Sequence, residues 1–166
     1  MKLIREGAFL TELIFQAELV SNSYRRLKGS VDGFDKISVW SDIQSILISS
    51  GNISKILWPT KKYRERGEQL RQLLEIGSES VLKSRKIRNR FEHYDEFLDD
   101  FFKDKDICSY TDLAMNPSLS PFIGGSCHRG YNSYNNTLVI HGEILDLNDI
   151  VAAVEKVRLK CKSLFL

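Results

Sequence analysis

The chain has 166 residues, 42% of them hydrophobic and 28% charged, with a net charge of +2. That make-up excludes an intrinsically disordered chain and suits one globular domain with a buried core, while the near-neutral total by itself points to no partner. Three scattered cysteines, Cys108, Cys127 and Cys161, suggest no disulfide framework. The charges within Met1–Glu6 interrupt what a secretion signal would need to keep apolar, so a reducing, cytoplasmic setting without a membrane partner is the expectation.

Leu3, Leu10, Leu13, Ala17, Val20, Tyr24 and Leu27 recur at three- and four-residue steps and predict a long first helix to about residue 28. A turn at 29–33 follows. A second helix from about Phe34 carries Ile37, Trp40, Ile43, Ile46 and Leu47. Gly51-Asn52 is positioned to bend or interrupt it before Trp58, and Pro59 ends it. Residues 60–67 read as a basic connection and 68–76 as a short helix with Leu70, Leu73 and Leu74 inward. Ser78 reads as the N-cap of a helix reaching about Lys103. Residues 107–136, rich in Ser, Asn, Gly and Pro, read as a long loop. Thr137–Ile140 and Ile144-Leu145 flank His141-Gly142-Glu143 as a β-hairpin, and Asn148 caps a last helix through Val151, Val154, Val157 and Cys161. The fold class expected is mainly α: an antiparallel helical bundle over 1–106, with a loop-rich segment, hairpin and helix over 107–166 packed on it as a single domain.

Charge is unevenly placed. Residues 55–90 hold eleven Lys or Arg against four Glu, a net of +7, and residues 91–106 hold seven acids against two Lys, a net of −5. The sign changes inside Arg85-Lys86-Ile87-Arg88-Asn89-Arg90-Phe91-Glu92-His93-Tyr94-Asp95-Glu96. Such a basic run either attracts phosphates or pairs with another helix of the same domain. Ile87, Phe91, Tyr94, Leu98 and Phe101 make an apolar stripe at helical spacing, which leaves the remaining residues toward water, a partner or a substrate. Asn89 lies one turn before His93, and Arg88 one turn before Glu92. Arg88 and His93 lie about 140° apart around the axis.

Arg88-Asn89, three further residues and His93 resemble the signature of the HEPN superfamily. That resemblance implies a four-helix bundle and, in many members, metal-independent ribonuclease activity in toxin–antitoxin or anti-phage systems. One position departs from the toxin-type pattern, which often has Tyr two residues after the His; here it is Asp95. A narrower resemblance, to uncharacterised bacterial proteins, joins residues 52–59, 88–96 and the 140–147 segment, and implies no activity. RNA cleavage without a metal needs a 2′-OH activated, phosphorane charge stabilised and the leaving 5′-oxygen protonated. Guanidinium suits the charge, and imidazole suits the proton. The expected catalytic residues are therefore Arg88, Asn89 and His93. Arg85, Lys55, Glu92 and Tyr94 are expected at the substrate, with Glu92 able to favour imidazolium if it comes close. Because one helix splays Arg88 and His93, the resemblance also implies a homodimer whose paired helices share one cleft.

Other candidates are weaker. Cys127-His128 and His141 read as solvated loop residues. No spacing among Cys108, Cys127, His128 and His141 fits a structural zinc site, so neither a metal nor another cofactor is expected. Gly124-Gly125 is a turn signal, and Trp40 and Trp58 read as core. Three readings stand: a dimeric HEPN-like RNA-cleaving toxin or defence effector, with an antitoxin or other protein as candidate partner; a non-catalytic HEPN-like module binding a nucleotide, nucleic acid or protein; and a structural dimerisation domain.

Overall fold

The structure, a computed structural model, describes residues 2–29, 35–85, 89, 91–103, 109–116, 125–140 and 143–165. Among them are five α-helices: α1 (Lys2–Gly29), α2 (Lys36–Leu57), α3 (Arg64–Leu73), α4 (Tyr94–Lys103) and α5 (Leu147–Ser163). The described residues also hold six short strands: β1 (Ser109–Thr111), β2 (Ala114–Met115), β3 (Gly125–Cys127), β4 (Arg129–Asn132), β5 (Thr137–Ile140) and β6 (Glu143–Asp146). The molecule is thus mainly helical, with a small C-terminal sheet and helix. No helix among the described residues is long and apolar enough to cross a membrane.

The apolar stripes of α1 and α2 close on each other. Leu13, Val20, Ile43, Ile46 and Ile53 are fully buried. Three polar bridges run along the same seam: Ser23 Oγ to Ser45 Oγ (2.9 Å), Arg26 to Asp42 (2.6 Å) and Asn52 Nδ2 to Gln16 Oε1 (3.2 Å). Their order makes α1 and α2 antiparallel. Tyr24 Oη donating to Asn148 Oδ1 (2.7 Å) and Arg158 donating to Glu18 (3.0 Å) place α5 antiparallel to α1 in the same way. One hydrophobic cluster takes in α1, α2, α3, β4, β5 and α5.

α2 runs through Gly51-Asn52 unbroken, with Gly51 buried, where the sequence offered a bend. Its C-terminus has an unusual difficulty. The carbonyl of Lys55 would be paired by the N–H four residues on, but that residue is Pro59, which has none. Guanidinium groups supply the missing donors. Arg66 Nη2 reaches the carbonyls of Lys55 and Ile56 at 3.4 Å each, Arg71 Nη1 donates to the Leu57 carbonyl, and Arg85 Nη2 donates to the Trp58 carbonyl. Positive charge at this end also opposes the helix dipole.

α3 has to lie flush on that terminus for its arginines to reach. Gly67 permits it: a Cβ there would stand 2.7 Å from the Leu57 carbonyl oxygen and collide with the Pro59 ring. Residues 60–67 are consequently not a plain connection but one 3-10 turn (Lys61–Tyr63) and the first turn of α3. α3 stops at Leu73, three residues before the expected end, because Glu75 turns left-handed (φ 52°). Ile76 N then donates to Arg71 O (2.9 Å) and Glu75 N to Gln72 O (3.2 Å), the Schellman pattern, here without the glycine that usually betrays it.

The stretch read as a long loop holds four of the strands. β1 pairs with β3 and β2 with β4, both parallel, and the order of the larger sheet is β2-β4-β5-β6. The hairpin of β5 and β6 is antiparallel, pairing Ile140 with Glu143. Its turn residue His141 lies outside the described residues. The cap of α5 is Asp146, whose carboxylate accepts from Asn148 N at 2.7 Å, and not Asn148. The sheet docks on α2: Trp40 Nε1 donates to Leu113 O at 3.2 Å, at a left-handed Leu113 (φ 53°).

Gly67→Ala, which raises intrinsic helix propensity, is expected to lower stability by about 1–3 kcal/mol through overpacking. Urea denaturation measures this. A gain in stability would mean that α3 does not sit flush on α2.

Candidate functional site

The motif helix begins later than its periodicity implies. Residues 78–85 form a turn, a 3-10 turn (Val81–Lys83) and an extended Ser84. Ser80, not Ser78, is the side chain that caps, accepting from Leu82 N. The guanidinium of Arg85 is tied to the Trp58 carbonyl, and the carbonyl of the same residue accepts the first helical bond of the segment. From there Asn89 N donates to Arg85 O (2.8 Å), His93 N to Asn89 O (2.9 Å) and Phe97 N to His93 O (3.2 Å). These bonds lead directly into α4.

The two faces of this segment differ sharply. Inward, Phe91 stacks on Trp40 with ring centroids 6.4 Å apart, and Phe101 is buried. Outward stand Asn89 and His93, the imidazole 56% exposed with its Nδ1 3.6 Å from Glu96 Oε1. The carboxylate beside the imidazole is thus Glu96, three residues on, and not Glu92. An i,i+3 spacing was visible in the sequence, but nothing there ranked it above the neighbouring acids. Glu92 accepts from Lys55 Nζ at 3.2 Å, so two of the expected substrate contacts meet each other across the gap from α2. Tyr94 is exposed, and Arg88 lies outside the described residues.

Part of the basic run has internal work. Arg66, Arg71 and Arg85 cap α2, Arg64 pairs with Glu68 (2.7 Å) and Lys55 with Glu92. The run is therefore in good measure a scaffold for the motif, and only in part a field for phosphate.

Behind the motif lies a buried cluster where the sequence suggests a solvated loop. His128 is buried at 2% exposure, its Nδ1 3.0 Å from Tyr110 Oη and its ring 5.2 Å from that of Phe101. Arg129 makes a two-pronged pair with Asp112 (2.9 and 2.6 Å), while its guanidinium stands 5.6 Å from the Phe91 ring and 6.0 Å from Trp40. The correction has a physical cause: the parallel strands β1 and β3 bring Tyr110 beside His128, a pairing between remote residues that no local pattern displays. Burial raises the Asp112 carboxyl, but the hydrogen bonds from Arg129 outweigh it and hold the group below its ordinary value of 3.8. Those same bonds fix the charge of Arg129 more firmly.

Cys127 is poorly suited to nucleophilic work. Its Sγ donates to the Arg129 carbonyl (3.3 Å), and burial, followed by the nearby Asp112 charge, pushes the thiol pKa up, away from the reactive thiolate. Among the described residues no three His, Cys, Asp or Glu side chains converge as metal ligands. A cavity of about 260 Å³ lies between α2, β6 and α5, with the buried Ser54 Oγ unpartnered among the described residues.

No protein-family model matches the chain, and no curated protein or solved structure shows significant similarity to it.

Because the Asp112 carboxyl is depressed, its pairing stabilises the fold above the ordinary carboxylate pKa and is lost as pH falls through the lower folded value. Asp112→Asn is expected to be less stable at neutral pH and to show a flatter loss of stability below about pH 4 than the unaltered protein. Denaturation across pH checks this; parallel profiles would contradict it.

Proposed function

We propose that the chain is a HEPN-like, metal-independent endoribonuclease, acting as a homodimer and serving as a toxin or anti-phage effector. The observation that carries this reading is the position of His93. Its ring projects into solvent one turn beyond Asn89, on a segment whose other face is anchored by Phe91 and Phe101. A structural histidine would more often be turned inward, as His128 is.

The chemistry proposed is attack of a ribose 2′-oxygen on the adjacent phosphorus, with the 5′-oxygen leaving. The 2′-hydroxyl gives up its proton, and the departing oxygen takes one, leaving a 2′,3′-cyclic phosphate and a 5′-hydroxyl. His93 carries a proton in one of these transfers, with the Glu96 carboxylate beside it to orient the ring. Asn89 orients the imidazole or a phosphate oxygen, and Arg88 takes the developing charge on phosphorus. A second copy of the chain supplies the partner groups that a single helix directs away from each other.

A second reading, a non-catalytic module binding nucleotide, nucleic acid or protein through the same face, has its own support. Lys55 and Arg85 are engaged inside the molecule, which thins the positive charge left to meet a transition state.

Purified protein incubated with total RNA in EDTA separates the two. Cleavage in EDTA is expected, lost by at least about a hundredfold in His93→Ala while its circular dichroism and melting stay unchanged. Intact RNA with a well-folded protein would favour the binding module.

A further inference from the structure

A second cleft lies away from the motif, between the start of α1 and the turn leading into α3. It encloses about 680 Å³, a volume suited to a small ligand such as a nucleotide. Its wall is a ladder of alternating cations and rings. The Arg5 guanidinium stands 6.0 Å from the Phe9 ring, Arg66 lies 4.6 Å from Phe9 and 5.4 Å from Tyr63, and Lys62 Nζ lies 5.2 Å from Tyr63. Two glutamates, Glu6 and Glu65, also line it; Glu65 accepts from Gln69 Nε2 at 3.1 Å.

One atom in this wall is out of balance. Arg66 Nε is buried and has no hydrogen-bond partner among the described residues, while the same guanidinium reaches the α2 carbonyls only at 3.4 Å. A buried cation whose donors are incompletely met is costly, and an anion on the solvent-facing side of the same guanidinium would offset its charge. Burial, and next the charge of Arg5, lower the Arg66 pKa, as two like charges close together on one wall would. The exposed Tyr63 ring, 45% accessible, offers a flat apolar face beside those charges.

We propose that this cleft binds a nucleotide unit, with the phosphate held by Arg66 and Arg5 and the base stacked on Tyr63 beside Lys62. Cations supply the phosphate contacts, and an aromatic face accepts any base, the combination that lets single-stranded nucleic acid bind without sequence preference. The unit is either a free nucleotide or one residue of an RNA strand. The cleft does not depend on the ribonuclease reading, because it neither contains His93 nor asks for cleavage.

Two probes distinguish the sources: AMP, followed by calorimetry, and a labelled single-stranded 2′-O-methyl oligonucleotide, which cannot be cleaved through its 2′-oxygen, followed by anisotropy at low salt. Binding of at least one is expected, weakened about tenfold by Tyr63→Ala and again by the Arg5→Ala/Lys62→Ala pair. All three are exposed positions whose loss leaves the α2 cap in place. AMP binding as tightly as the strand marks a free-nucleotide site; a much tighter strand marks an RNA track. Both uphold the proposal, and His93→Ala is expected to bind as well as the unaltered protein. Failure to bind either probe, or equal binding by both variants, overturns it. Binding of these probes by a protein that leaves total RNA intact in EDTA would count against the ribonuclease alone.

Discussion

The C-terminal turn of α2 is the constraint around which the rest of the molecule is arranged. Pro59 removes the donor that the Lys55 carbonyl would have had, and the carbonyls that follow it have no helical partner at all. Three arginines from outside the helix, Arg66, Arg71 and Arg85, supply what is missing. Charge-assisted hydrogen bonds of this kind are worth more than neutral ones, and here they act together with the helix dipole. Two of the donors fix α3 against α2, which in turn requires Gly67 at the contact. The third fixes the point at which the chain leaves for the motif.

The anchoring of Arg85 has a direct consequence for the candidate site. It holds the chain against Trp58 at the residue whose carbonyl starts the segment carrying Asn89 and His93. Lys55, one residue from Ser54 on the same terminus, reaches across to Glu92 and steadies that segment. From the other side, Asp112 and Arg129 form a brace under Phe91 and Trp40. The imidazole is thus left outward by this framework, on the same exposed face as Asn89 and with Glu96 as its neighbour. The cleft beside Arg66 shares a residue with the same terminus, so structural capping and the proposed nucleotide contact fall on one guanidinium.

Much of this was legible in the residues. The stripes Leu13–Ala17–Val20 and Ile43–Ile46–Leu47 define two antiparallel helices, because burial of one face follows from spacing alone. The β5–β6 hairpin and α5 were readable for the same reason. What stayed hidden depends on partners distant in sequence. An arginine that caps a carbonyl looks the same in sequence as one that waits for phosphate, so the 55–90 run read as a possible field for nucleic acid. Glu75 ends α3 without a glycine to announce it. Parallel pairing of three-residue strands has no alternation long enough to register, and with it went the burial of His128. The motif itself was plain, and so was its apolar stripe; that Glu96 and not Glu92 would stand beside His93 was settled by Lys55, on another helix.

The central claim is that this scaffold turns His93 outward while enclosing His128, and chemical labelling of histidine reads that contrast directly. Treatment of the folded protein with diethyl pyrocarbonate, with modified sites mapped by mass spectrometry over time, is predicted to modify His93 rapidly and His128 only after denaturation. Comparable rates at the two, or protection of His93, would contradict the account.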